Sequence, residues 1–422
     1  MVTHGPTDRW TILRPVLVVT LAAALVFVGP EAVWASGVGY VGSVSPRITL
    51  DPEDGWRSVP DAYRLAQLAL FSSTDRFGWY LSGSAESRGG NQEIDLALGE
   101  AYVDAYLPRV DLRLGRQLVA WGTVDGNNPV DNLNPADLTL FSSATEPAEA
   151  KVPLAALRAV SYWGTYQDLR AELVLLPEFR GHGLPESPPL TFPVEEPEVD
   201  LLAPDWGVRV QRSFDRFDLA LSYYDGHERM PTPDPTVPPS AAHYLPVQVL
   251  GLEGAVFDLG DLTLRGEAAY FLTADEDAFM QVKNPYLQYA LQLEYLWGME
   301  TTLMLQYLGS HVTGIDSPAE EESQEEIPFR AGAPLFNLDS RAVALGLRHE
   351  TTWLNVRPLA LIWQGVLGLD RGGFLTGATL DLSLTDSLSL GLGARIARGL
   401  EGTPLAAVGQ AGRVWTGVEY SF

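Results

Sequence analysis

Two short stretches carry charged residues at spacings that suit adjacent extended strands. EAYVDAY (100–106) places Glu100 and Asp104 on one parity, and VDLRLGRQ (110–117) brings in Arg113 and Arg116 shortly afterwards. Acids facing bases across neighbouring strands do one of two things. They brace the wall as a cross-strand charge ladder. Where water fills the space beside them, they also set up a transverse field that orders passing solutes. Strict alternation puts Arg116 with Leu112 and Leu114 on the apolar side, at a cost of about 2–4 kcal/mol near the midplane of a membrane. A bulge at Gly115 returns it to the polar side, which gives the expected cluster of Glu100, Asp104, Arg113 and Arg116.

The next segment, DGNNPVDNLNPADL (125–138), is dense in oxygen donors. Asp125, Asn127 and Asp131 offer a weak calcium site, since the glycine and terminal glutamate of an EF-hand loop are missing from their positions. The Asn128-Pro129 and Asn134-Pro135 steps equally suit turns and helix caps. A third reading folds the segment inward, so that Asp125, Asn127, Asn128 and Asp131 line and narrow a lumen.

Hydrolytic chemistry finds little support. Cysteine is absent, which removes thiolate catalysis, thiolate metal sites and disulfides together. Beyond His4, the histidines are His182, His227, His243, His311 and His349, and none forms an H-E-x-x-H pair. Neither a G-x-S-x-G elbow nor a phosphate-cradling G-x-x-x-x-G-K-[ST] occurs. Ser310–His311 is a feeble nucleophile–base candidate, because adjacency in sequence does not place a hydroxyl within reach of an imidazole. The expectation is a protein that is not an enzyme and takes no cofactor.

The elements that must position these groups are short runs of period two. In DLTLRGEAAYF, Leu262, Leu264, Ala268 and Tyr270 oppose Thr263, Arg265 and Glu267; in SLSLGLGARIA, Leu388, Leu390, Leu392 and Ile396 oppose Ser389, Gly391, Gly393 and Arg395. In IDLALGEAYVDAY the phase shifts at Gly99. The connections alternate tight and long: tight ones fall at 73–76, 107–110, 164–167, 214–217, 259–262, 297–300, 351–354 and 385–388, with long polar stretches between. That rhythm predicts an all-β transmembrane antiparallel barrel of about 18 strands, or 16 if the run 341–353 is irregular, with short periplasmic turns and long outer loops. The closing run, GRVWTGVEYSF, keeps its alternation to Phe422, so Tyr420 and Phe422 are read as an assembly signal on the last strand.

Residues 1–35 read as an export signal: Arg9 and Arg14, an apolar stretch Val16–Val28, then Val33 and Ala35 before the cut. The apolar stretch covers only about 20 Å, short of the roughly 30 Å hydrocarbon core. The barrel is then 36–422, and no later stretch reaches 18 uninterrupted apolar residues. Net charge is −26 and the only lysines are Lys151 and Lys283, which excludes a nucleic-acid footprint. The densest acidic patches are Glu195, Glu196 and Glu198 in VEEPEVD, and Glu320, Glu321, Glu322, Glu325 and Glu326 in AEEESQEE. Two such loops over one mouth repel anions and concentrate cations.

The stretch 100–141, with LRLGRQ (112–117), Trp121–Gly122 and two Asn-Pro steps, resembles the hairpin of a porin-like family of Gram-negative outer-membrane β-barrel proteins. The resemblance covers about 40 residues and implies fold and location more than mechanism. The function expected is an outer-membrane porin or channel for small hydrophilic solutes or ions, mildly cation-preferring, with lipid and the outer-membrane assembly machinery as partners. The alternative is an exporter, or a structural or adhesive barrel without pore activity.

Overall fold

The computed structural model describes residues 37–59, 62–88, 94–137, 150–183, 194–234, 241–273, 285–313, 340–353, 356–370, 372–399 and 412–422. The expected signal 1–35 and the acidic residues Glu320, Glu321, Glu322, Glu325 and Glu326 lie outside the described residues. The chain forms a closed antiparallel barrel of 18 strands. The first, β1, is split into Gly39–Val44 and Arg47–Asp51. Then come β2 (Ala62–Ser73), β3 (Phe77–Arg88), β4 (Ile94–Tyr106), β5 (Val110–Gln117), β6 (Leu154–Trp163), β7 (Leu169–Leu176), β8 (Asp205–Ser213) and β9 (Phe217–His227). The second half comprises β10 (Pro246–Leu259), β11 (Leu262–Thr273), β12 (Tyr286–Trp297), β13 (Thr301–Val312), β14 (Arg341–Trp353), β15 (Arg357–Gly368), β16 (Phe374–Ser383), β17 (Leu388–Arg398) and β18 (Arg413–Ser421).

Period-two sequences settle here because each strand has one face to bury and one to expose, but the usual polarity is inverted. Leu68, Leu96, Leu221, Leu252, Leu291, Leu305, Leu345 and Leu392 are exposed on the outside. Inside, Glu172, Arg209, Glu253, Gln288, Gln292 and Gln306 are buried. An apolar outside around a polar inside is stable only with hydrocarbon as the outer solvent. At the tight-turn end Trp163, Phe214, Phe217, Trp297, Trp353, Tyr420 and Phe422 are exposed as an aromatic girdle.

Closure falls on the last residue. The Phe422 N–H donates to Gly42 O, and the Gly42 N–H donates to Phe422 O, both at 2.9 Å. Gly42 is required there, since a Cβ would stand 2.8 Å from Phe422 Cζ. Ser45-Pro46 interrupts β1 because proline has no N–H for the ladder; Pro46 O still accepts from Val418 N at 3.2 Å.

The register bears out two expectations, the strand count and the phase shift at Gly99, and moves one turn. The run 341–353 is a regular 13-residue strand, so the count is 18, and it continues through the turn expected at 351–354. The connection falls after Trp353 instead. The phase shift at Gly99 is present: Leu81 pairs with Ala101 and Gly83 with Leu98, so Gly99 and Glu100 together oppose Ser82. At the long-loop end Val194–Glu195, Thr232–Asp234 and Ala241–His243 form a small separate sheet, with Glu195 Oε2 at 3.5 Å from His243 Nδ1.

Candidate functional site: a loop folded into the barrel

After β5 the chain does not leave the barrel; it turns inward. Just before that turn Gly115 has φ of +131°, where a Cβ would sit 2.8 Å from Tyr102 Cα. Gln117 is fully buried, and its Nε2 donates to Ala156 O at 3.0 Å. Asn134 ties the two limbs of the loop together: its Oδ1 accepts from Val119 N at 2.8 Å, while Nδ2 donates to Gln117 O at 3.1 Å and Val152 O at 3.0 Å. Lys151 Nζ adds Asp131 O and Asn134 O, and lies 3.4 Å from Asp131 Oδ2. Burial pushes the Asp131 carboxyl up, and Lys151 opposes that shift.

The tip reaches β11, β12 and β13, six to eight strands around the wall from β5, and so crosses the lumen. Trp121 is buried against Gly207, where a Cβ would meet its Cη2 at 2.7 Å. Its Nε1 donates to Glu172 Oε1 at 3.2 Å, and Glu172 also takes Arg158 at 2.9 Å and Arg170 at 2.6 Å. Gly122 has φ of +107°, and a Cβ there would stand 2.6 Å from Glu267 Oε1. That close approach lets Glu267 Oε1 accept from two successive N–H groups, Thr123 and, at 2.7 Å, Val124. Asp125 Oδ2 takes Arg265 at 2.9 Å and Gln292 at 2.5 Å. Asn127 Nδ2 donates to Gln306 Oε1 at 2.9 Å, and Gln306 Nε2 to Asp125 O at 2.7 Å. Between the loop and the wall of β13–β15 lies a cavity of about 570 Å³, lined by Asp125, Asn127, Asn128, Asp131, Arg348 and Gln364 among others.

The cluster read from the sequence is brought together in three of its four members. Arg113 grips Asp104 with two bonds of 2.7 and 3.0 Å and lies 3.7 Å over the Tyr102 ring. Glu100 Oε1 accepts from Leu118 N at 2.8 Å, at the root of the loop. Arg116 does not join them. Register with both neighbours runs through Gly115 without an inserted residue, so Arg116 keeps the parity of Leu112 and Leu114. It stands one residue from the end of its strand, where Glu178 approaches it at 3.7 Å. The calcium idea is also corrected: Asp125, Asn127 and Asp131 turn to Arg265, Gln306 and Lys151 respectively, not to one point. Ser310 pairs across from the buried Gln288 while His311 points to the exposed face, so the two are on opposite sides of β13. Glu195, Glu196 and Glu198 are exposed at the long-loop end. The sequence reading named Asn134 only for its Asn-Pro step and did not single out Gln292 and Gln306. The one signal for the glutamines was an amide recurring on the inner parity of a strand.

His182 supplies a titratable strut. It is buried and its Nδ1 accepts from Ala136 N at 2.8 Å, which requires the neutral ring. Burial, with Lys151 and Arg229 nearby, pushes its pKa down to about 3. The folded state therefore binds fewer protons than the unfolded one between about pH 6.5 and 3. The stabilisation is whole above pH 6.5 and is lost as pH falls, by about 1.4 kcal/mol per unit. The protection factor of the Ala136 amide in hydrogen exchange, taken against its intrinsic rate at each pH, should fall on acidification. His182→Gln should flatten that profile, and a parent profile no steeper than the variant's would contradict the assignment.

The closed 18-strand antiparallel barrel matches outer-membrane porin structures in fold. The chain belongs to the family described as "Protein of unknown function (DUF1302)", whose model matches residues 70–364. Among solved structures it is similar to OccK5 (OpdH) of Pseudomonas aeruginosa, at 9% identity and TM-score 0.52, covering 92% of this chain and 98% of that one. It is similar to OccAB4 of Acinetobacter baumannii, at 9% identity and TM-score 0.51, covering 91% and 98%. It is also similar to Wzi of Escherichia coli, an outer-membrane protein involved in group 1 capsule assembly, at 11% identity and TM-score 0.50, covering 100% and 90%. No curated protein matches the sequence.

Proposed function

We propose that the chain is an outer-membrane channel for passive passage of small hydrophilic solutes or ions, with a mild preference for cations. The observation that carries this reading is the loop 118–137, which narrows the lumen yet leaves about 570 Å³ beside the β13–β15 wall. The apolar exterior and aromatic girdle support placement in a bilayer, with the tight turns on the periplasmic side. No catalytic step belongs to this reading.

The lumen charges largely cancel in pairs: Asp104 with Arg113, Glu172 with Arg158 and Arg170, Glu253 with Arg209. Selectivity then comes from the mouth, through Glu195, Glu196 and Glu198 and the run Glu320–Glu322, Glu325 and Glu326. Exposed charge acts over a Debye length of about 8–10 Å near 0.1 M salt and about 3 Å at 1 M. Reversal potentials in planar bilayers under a salt gradient should show cation preference at low ionic strength that fades in molar salt. Changing Glu320, Glu321, Glu322, Glu325 and Glu326 to Gln should reduce it. A preference that survives both changes moves the selectivity to the wall, and anion preference in the parent defeats the proposal. The second reading, a barrel without pore activity, draws on how much of the lumen the loop fills.

A further inference from the structure

We propose that the wall facing away from the loop's anchors carries a contact site for a neutral saccharide, built on Trp415; this rests on the reading of the lumen as a solute passage. Trp415 alternates inward with Arg413, Gly417 and Glu419, while Val418 and Tyr420 are exposed outside. Its partner across β17 is Gly393, where a Cβ would collide with the six-membered ring, so the indole lies against bare backbone.

The next row toward the tight turns runs Arg47, Gly417, Gly391, Asp381 across β1, β18, β17 and β16. With no side chain on the two middle strands, the end groups lean inward over a trough. Asp381 Oδ1 would touch a Cβ on Gly391 at 3.2 Å, and Arg47 Cζ stands 5.3 Å from the centroids of both Trp415 and Tyr63. In the row on the other side, Arg395 directly opposes Arg413. Arg413 is held there by Asp51, whose Oδ2 accepts from its Nη1 at 2.6 Å.

A pyranose ring matches these groups. Its C–H hydrogens are weakly positive and suit the negative face of an indole. Its hydroxyls both donate and accept, which uses guanidinium donors and carboxylate acceptors together. Arg47, Arg395 and Arg413 are balanced by Asp381, Glu419 and Asp51, which favours an uncharged ring over a charged one. The glycine trough gives the ring its thickness of space.

Titration calorimetry of the folded, detergent-solubilised protein with maltohexaose tests the site, with sodium benzoate as the second probe. Parent should bind maltohexaose, Trp415→Ala should weaken it about tenfold, and Trp415→Phe should keep most of it. Gly393→Val, which pushes the indole off the wall, should act like Trp415→Ala and guards against a misfolded variant. Absence of maltohexaose binding to the parent, or binding indifferent to Trp415, overturns the proposal. Benzoate bound through Trp415 in place of the sugar overturns the ligand class. Calorimetric binding without any current through a bilayer removes the passage and leaves the site standing.

Discussion

Glu267→Ala should raise the ionic conductance of the barrel severalfold and make the segment 118–137 accessible to protease. Among the described residues, Glu267 alone accepts from the two consecutive loop amides of Thr123 and Val124. Each donor stranded in a buried place costs about 1–3 kcal/mol. The undocked population of the tip therefore rises by about one to four powers of ten. Trp121 on Glu172 keeps the root attached, while Asp125 on Arg265 and Asn127 on Gln306 are left as the tip's remaining anchors. Gly122→Val attacks the same joint from the other side. It forces a side chain into a position with φ of +107° and against Glu267 Oε1. The two substitutions should be strongly non-additive, since either one breaks the joint. Conductance and proteolysis both unchanged in Glu267→Ala would show that the other anchors suffice.

Loss of Phe422 should reduce heat-modifiable protein in the outer membrane to a small fraction of the parent level. Two effects coincide at this residue: reciprocal backbone bonds to Gly42, and a ring lying over Gly42 at 6.5 Å from the Tyr40 ring. Deletion removes both. Phe422→Asp keeps the backbone bonds and removes only the ring, so comparing the two separates closure of the ladder from recognition of an aromatic end. Normal accumulation of both variants would mean that closure between β1 and β18 is secured by the pairs from Ser43–Ser421 to Leu50–Val414 alone.

The barrel was readable because period two leaves no ambiguity when one face of every strand is apolar. Leu262, Leu264 and Ala268 against Thr263, Arg265 and Glu267 fix the faces of β11 without any tertiary information. The Asp104–Arg113 contact was equally legible, since one tight turn sets its register. Arg116 was misplaced because the price of a cation on the apolar parity was reckoned for the midplane. One residue from the strand end, a salt-bridge partner from the next loop is within reach. The loop's anchors were not legible for a different reason. Thr123 meets Glu267 and Asn127 meets Gln306 across about 140 to 180 residues of sequence, and only the closed barrel brings them together. Gly122 gave half of that joint in its Trp-Gly step, but nothing local names the carboxyl that enters the space it leaves.

Single-channel recording of the parent protein in planar bilayers, with polyethylene glycols of graded size added, tests the loop-narrowed passage most directly. The structure predicts discrete conductance steps, reduced by small polymers that enter the lumen and untouched by those too large for a half-filled barrel. Correctly folded protein inserted in the bilayer with no steps at all would contradict the channel and leave a closed, non-conducting barrel.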